Sequence, residues 1–287
     1  MMHILVTGAS GLLGSVLCRR LAERGVKVTA AVRTESYSKI SMLHYLSLDL
    51  ADDDLAKLFP KDIDVIIHLA QSSQFRDFPD SALDVFNVNV ASTAHLLDFA
   101  KQFGVKQFIY ASSGGVYGKG SDDFKENSPI IPPGQLGYYL GSKACGEILV
   151  QSYASMFQVI VLRPFFIYGP GQNRSMLIPR LMDFVSSGTA IILQDTDGIR
   201  INPLHVEDAA AAVIAALDTK DSSTYNIAGP DVLSIRQISE EMGVFLGKRP
   251  VFQSVTGKSM DLIADISAMR SKLCSPTRHL CESFSEL

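Results

Sequence analysis

Tyr139 and Lys143 stand four residues apart, which puts both side chains on one face of a helix. A phenol and an ammonium held together suit one kind of chemistry. Oxidising a secondary alcohol needs a base for the hydroxyl proton while a hydride leaves, and the reverse reaction needs an acid. A free phenol ionises only near pH ~10. A neighbouring ammonium favours the phenolate, as does a positively charged nicotinamide ring, and together they bring the group toward a working range. Lys143 can also hold the ribose of such a cofactor. Ser113 ends an apolar run over 108–112 and is placed to hydrogen-bond the reacting oxygen; its ordinary alternative is a turn-forming serine before Gly114-Gly115.

A hydride needs a carrier, and the N-terminus supplies a place for one. Thr7-Gly8-Ala9-Ser10-Gly11-Leu12-Leu13-Gly14 spaces glycines as G-x-x-G-x-x-G, directly after an apolar strand pattern and at the start of a helical one. A tight turn needs φ > 0, the backbone must approach a pyrophosphate without a Cβ between, and a helix N-terminus offers unpaired N–H groups to phosphate. Gly8, Ser10, Gly11, Leu12, Leu13 and Gly14 are therefore candidate cofactor contacts. A carboxylate at the end of the second strand would bind the adenosine ribose hydroxyls of NAD. The chain instead reads Val32-Arg33-Thr34. Arg33, with Ser36 and Lys39 as helpers, can pair with a 2′-phosphate, which favours NADP over NAD. Asp49 and Leu50 follow a third apolar stretch and are candidates for the adenine edge; a solvated loop carboxylate is the plainer reading of Asp49.

These residues need a scaffold. Apolar runs over 3–6, 26–32, 64–70, 107–112 and 159–163 alternate with helical patterns over 12–24, 83–103 and 140–157. Continuous apolar strands between helices indicate a parallel sheet buried on both faces, a Rossmann-type doubly wound α/β fold. After Pro164 the pattern shortens, punctuated by Gly169-Pro170-Gly171, Gly188 and Asp197-Gly198, with an Ala-rich helix over 206–217. The expected organisation is a dinucleotide-binding domain over 1–165 and a smaller substrate-binding region over 166–287, with a soft boundary and a chain that crosses back.

The 287 residues are 47% hydrophobic with a net charge of −4, which gives no reason to expect nucleic acid or an anionic membrane as partner. No apolar run approaches the ~20 residues of a membrane span, and the glycine-broken start does not read as a signal peptide, so the cytoplasm is the expected location. Cys18, Cys145, Cys274 and Cys281 show no metal-ligand pairing and read as reduced, structural thiols; no metal is expected.

The chain resembles the extended short-chain dehydrogenase/reductases of the NAD-dependent epimerase/dehydratase family, almost end to end. The resemblance rests on the glycine turn, His68-Leu69-Ala70, Asn89-Val90, Ser112-Ser113-Gly114-Gly115-Val116-Tyr117-Gly118 and Tyr139-x-x-x-Lys143, then on Arg163-Pro164, Tyr168-Gly169-Pro170-Gly171 and Leu204-His205-Val206-Glu207-Asp208. It implies a Ser113, Tyr139 and Lys143 triad, Leu69 and Ala70 beside the cofactor, and Arg163 near the site or structurally paired. It also implies His205 and Asp208 as anchors of the C-terminal region, and a homodimer through the helices flanking the sheet.

Departures from the family narrow the reaction. Dehydratases and decarboxylases carry acidic residues just after the serine, where this chain has Gly114 and Gly115, so elimination is disfavoured. Sugar-nucleotide members commonly carry Asn three residues after Arg163, where this chain has Phe166. Arg200 could still meet a diphosphate, although it sits one residue further from His205 than usual. Phe166, Asn173 and Arg200 are the candidate substrate contacts, with solvated surface an equal reading for the polar ones, as for Arg174. Three readings follow: an NAD(P)-dependent epimerase or ketoreductase of a nucleotide-linked sugar, an NADP-dependent reductase of a small non-sugar carbonyl, and a non-catalytic NADP-binding sensor.

Overall fold

The computed structural model describes residues 2–34, 43–51, 55–257 and 260–287. Seven parallel strands form the main sheet: β1 (His3–Thr7), β2 (Lys27–Val32), β3 (Leu43–Ser47), β4 (Val65–His68), β5 (Gln107–Ala111), β6 (Gln158–Pro164) and β7 (Ser223–Ile227). Their order is β7-β6-β5-β4-β1-β2-β3. The order reverses between β1 and β4, and a crevice for ligand forms outside the C-terminal ends of the strands at such a point.

Alternate strand residues feed two separate cores, as a sheet covered on both faces requires. Ile4, Val6, Val65, Ile67, Ile109, Ile160 and Leu162 pack with Leu17 and Leu21 of α1 (Leu12–Glu23). Leu5, Ile66, Phe108, Tyr110, Val159 and Val161 pack on the other side with Leu96, Leu97 and Phe99 of α2 (Ser92–Phe103) and Val150 of α3 (Pro133–Gln151). Each fully buried aliphatic side chain contributes roughly 1.5–3 kcal/mol. The chain does not stay away after residue 165. α5 (Val206–Ala216) packs its alanines into the first core and β7 pairs with β6, so residues 206–227 belong to the main sheet's layers. A third core gathers Tyr168, α4 (Leu177–Ser187), α6 (Ile235–Leu246), Leu280 and Phe284.

Two local differences from the sequence pattern matter for the site. The helix expected from 140 begins at Pro133 and is broken at Gly137 (φ 70°, ψ 172°), so Tyr139 lies in the first turn after the break. The helical stretch expected over 83–103 contains a π-helical turn, Asn87–Ala91, of a kind that gathers at functional sites. All four cysteines are free. Cys18 is a core thiol pushed up to about 12 by burial, whereas Cys145 and Cys281 are exposed, so packing accounts for the first and not for them.

Candidate active site

The glycine turn is shaped by what a side chain would strike. Gly8 has φ +68°, and a Cβ there would meet the backbone of Ala70 at 2.8 Å. A Cβ on Gly14 would lie 2.1 Å from the Gly8 carbonyl oxygen. Gly11 is the N-cap of α1 and has no side chain with which to cap it, so the first N–H groups of the helix keep free hydrogens facing the crevice. The turn, β4 and α1 are thus as close as backbones allow, and they leave a cradle of donors fitted to a pyrophosphate.

Two connected cavities fill the crevice. The smaller, about 260 Å³, is lined by Ser10, Arg33, Asp49, Leu50, Leu69 and Ala70, at the ends of β2, β3 and β4. The sequence-derived adenosine contacts come together here; Ser36 and Lys39 lie outside the described residues. Asp49 accepts from the Ala51 N–H at 3.0 Å and so also shapes its own loop. The larger cavity, about 440 Å³, shares Gly8, Gly11, Leu69 and Gln71 with the first and continues past Leu12, Leu13 and Gly14 to Ser113, Tyr139 and Lys143. The Ser112 hydroxyl in its wall is buried with no partner among the described residues. A cradle that excludes Cβ atoms and an unpaired buried hydroxyl both fit a bound dinucleotide.

The reactive groups are held by separate elements. The Lys143 ammonium is buried, donates to the Ala111 carbonyl on β5 at 2.9 Å and lies 5.4 Å from the Tyr110 ring centre. Burial pulls its pKa down to about 8, with Glu147 opposing. Tyr139 donates its hydroxyl to Gln71 Oε1 at 2.8 Å, and its ring lies 4.8 Å from that of Phe75. Burial pushes the phenol up to about 12 against the pull of Arg76. Ser113 Oγ accepts from the Gly115 N–H at 3.1 Å, so it caps the following turn while lining the cavity.

Asn89 was read only as part of the family pattern, yet it is buried and joins the two halves of the site. Its Oδ1 accepts from the Ser72 N–H at 2.9 Å, and its Nδ2 donates to Ser142 Oγ at 2.9 Å. Ser142 in turn donates to the Tyr139 carbonyl at 2.7 Å. The loop after β4 and the first turn bearing Tyr139 are fixed to each other through it. Gln71 was also missed, although its place at the C-terminal end of β4 marks it for the crevice. Phe75, Met176, Leu177, Ile178 and Leu262 carried no readable signal, because they reach the cavity from distant segments.

The expected substrate contacts divide. Phe166 lines the cavity and has φ +43°, backbone that Asn adopts more readily than Phe. Arg200 is drawn away. Its guanidinium pairs with Asp261 at 2.6 Å, and it borders a different surface hollow. Asn173 is exposed, caps its own loop by accepting from the Ser175 N–H at 2.9 Å, and does not line the cavity. Arg174 pairs with Asp183 on α4. Arg163 makes a buried two-pronged ion pair with Glu147, at 2.9 and 2.6 Å, and bonds the Tyr117 hydroxyl at 2.6 Å. It ties β6 to α3 and has no donor aimed at the cavity. His205 caps α5 by accepting from the Glu207 N–H at 3.2 Å, and Asp208 accepts from the Thr277 and Arg278 N–H groups at 2.9 Å each. Both hold the C-terminal segment in place. Among the described residues no group of His, Cys, Asp and Glu could hold a metal ion, and no helix is long and apolar enough to cross a membrane.

Comparison with known proteins agrees with this geometry. A model of the NAD dependent epimerase/dehydratase family matches residues 4–228. The chain is 27% identical over 269 residues to the dTDP-4-dehydro-6-deoxy-D-allose reductase of Streptomyces bikiniensis, covering 85% of this chain and 81% of that one. It is 28% identical over 280 residues to the dTDP-D-glucose 4,6-dehydratase of Mus musculus, covering 92% and 78%. Among solved structures, the UDP-glucuronic acid 4-epimerase from Bacillus cereus in complex with UDP-glucuronic acid and NAD superposes with a TM-score of 0.87 at 27% identity, covering 99% of this chain and 97% of that one. A reductase, a dehydratase and an epimerase are thus among the proteins this chain is similar to. The chain belongs to the NAD-dependent epimerase/dehydratase family and is an enzyme of the extended short-chain dehydrogenase type.

Proposed function

We propose that the enzyme moves a hydride at a secondary alcohol or ketone carbon of a nucleotide-linked sugar, as an epimerase or ketoreductase without elimination. One observation carries the reading: among the described residues lining the 440 Å³ cavity, Tyr139 and Lys143 are the ionisable ones, and none is Asp, Glu or His. A bound nicotinamide dinucleotide supplies or accepts the hydride. Tyr139 exchanges the proton, Ser113 holds the reacting oxygen, and Lys143 holds the ribose and keeps positive charge beside the phenol. Dehydration would need a further acid–base pair. Packing supports its absence, since a Cβ on Gly114 would fall 2.3 Å from the Phe165 ring and one on Gly115 would fall 2.8 Å from Leu140.

Arg33, exposed in the adenosine cavity where an NAD-specific site carries a carboxylate, supports NADP(H) as the preferred cofactor. Arg33→Ser should weaken NADP(H) binding about tenfold and leave NAD(H) unchanged; equal affinity of the unaltered chain for both cofactors would refute the preference. Exposed Leu83 and Phe86 on the short helix Ala82–Phe86, with exposed Ile148 on α3, support the homodimer, which sedimentation velocity would test.

A second reading has its own support. The substrate end is walled by Phe166, Ile167, Met176, Leu177, Ile178 and Leu262 with Gln172, and among the described residues no arginine lines it to meet a diphosphate. This favours reduction of a smaller carbonyl with an apolar flank. One screen separates the readings: UDP- and dTDP-linked sugars against hydrophobic ketones, with NADPH absorbance and product identity followed together. An epimerase consumes no net NADPH, a reductase consumes one per turnover, and failure to bind either dinucleotide would overturn both.

A further inference from the structure

Gln71 stands where the two cavities meet and lines both. Its amide oxygen is the acceptor for the Tyr139 hydroxyl, at 2.8 Å. Lys143, one turn further along α3, has its ammonium bonded to the Ala111 carbonyl. The phenolic proton of the resting site is therefore committed to a neutral acceptor. An amide oxygen can accept only from a phenol that still carries its proton. The contact is also built to persist. The Ser72 N–H next to Gln71 is bonded to Asn89, and Asn89 bonds Ser142, whose hydroxyl returns to the Tyr139 carbonyl. Phe75 covers the Tyr139 ring from the same loop, and Arg76 ties that loop across the cleft to Ser175 Oγ at 3.4 Å.

We propose that Gln71 is a positioning residue that holds Tyr139 as a proton-carrying phenol and so starts the site in the ketone-reducing direction; this rests on the hydride-transfer reading above. A ketone that enters takes over the role of Gln71 as acceptor. The phenolic proton of Tyr139 forms the new O–H bond as its own O–H breaks, while a bound reduced nicotinamide dinucleotide would supply the hydride for the new C–H bond at the carbonyl carbon. The tyrosinate left behind takes a proton from water and returns to Gln71. An epimerase has to begin from an alcohol, with Tyr139 as base, and a resting phenol bonded to an acceptor opposes that start. The charged group that acts on Tyr139 is Arg76 from the loop; Lys143 of its own helix lines the same cavity, and the Tyr110 phenol on β5 lies within electrostatic reach of Tyr139. Arg76 favours ionisation, so burial and the Gln71 acceptor are what keep the proton in place.

The test reads Tyr139 directly in the full chain without ligand. Tyrosines are replaced by 3-fluorotyrosine, the Tyr139 fluorine resonance is identified by its loss in Tyr139→Phe, and its titration is followed with pH. Gln71→Leu removes the acceptor and should lower the midpoint by about one pH unit. Gln71→Glu is nearly isosteric and offers only acceptors, so it should fold and raise the midpoint. Unmoved midpoints in both variants, or a rise in Gln71→Leu, would overturn the proposal, the second by showing that the amide donates to the phenolate. Epimer interconversion without net NADPH use would overturn the directional claim even if both midpoints move. Moved midpoints in a chain with no dinucleotide-dependent turnover would strike at the hydride-transfer reading, and unmoved midpoints in an active enzyme would strike at Gln71 alone.

Discussion

The two ends of the crevice are built from different material. At the glycine turn the walls are backbone: Gly8 against Ala70, Gly14 against Gly8, and the open N-terminus of α1. At the far end the walls are side chains, with Phe166, Met176, Leu177, Ile178 and Leu262 drawn from three separate stretches of chain. A backbone cradle recognises what every dinucleotide has, a pyrophosphate, and tolerates almost no change. A side-chain wall recognises what distinguishes one substrate from another, and it can be rebuilt residue by residue. Tyr139, Lys143 and Ser113 stand at the junction, and the proteins this chain is similar to include a reductase, a dehydratase and an epimerase.

The largest expected effect lies at that junction. Tyr139→Phe should cut turnover by about a thousandfold, within the usual range for losing a general acid, with dinucleotide affinity nearly unchanged in a binding titration. Unchanged turnover would remove the proton-transfer role. Next comes the backbone end, where Gly14→Ala should weaken dinucleotide binding about a hundredfold, roughly 3 kcal/mol, because the new Cβ falls 2.1 Å from the Gly8 oxygen. Binding that survives would mean that the turn has slack the geometry denies.

The side-chain end should respond more gently. Phe166→Asn should raise KM for an apolar ketone about tenfold, leave kcat and cofactor affinity alone, and not lower the melting temperature, since Asn suits φ +43° better than Phe. A KM gain for a nucleotide-linked sugar instead would favour the sugar reading. The smallest effect is in pH. The Lys143 pKa lies near 8 in the fold against its ordinary 10.5, so the ammonium is present below pH 8 and is lost as pH rises through that value. Turnover should decline several-fold above pH 8, and Lys143→Arg, always charged, should abolish the decline at some cost in activity. The same depressed pKa makes folding stability rise with pH between 8 and 10.5, because the unfolded chain binds the extra proton there. Activity and stability should therefore move in opposite directions over that interval.

How much of this could be read without coordinates follows the same divide. The G-x-x-G-x-x-G spacing, the apolar strands and the Tyr139/Lys143 offset are local, and each has one backbone geometry that makes sense of it. Arg200 shows where local reading stops. Its type suggested a diphosphate contact despite a spacing to His205 one residue longer than usual, but Asp261, 61 residues away, takes its charge. Asn89 and Gln71 looked like ordinary polar residues beside a motif, and their importance lies in partners that folding brings to them.

The sequence by itself determined the parallel sheet, the glycine turn and the offset of Tyr139 and Lys143, because strand periodicity, glycine's lack of a Cβ and the pitch of a helix act over a few residues. Only the tertiary structure decided that the far wall is mostly apolar, that Arg163 and Arg200 are spent on ion pairs, and that Gln71 meets the Tyr139 hydroxyl. Those facts depend on which distant side chains share a space, and no short stretch of chain encodes that on its own.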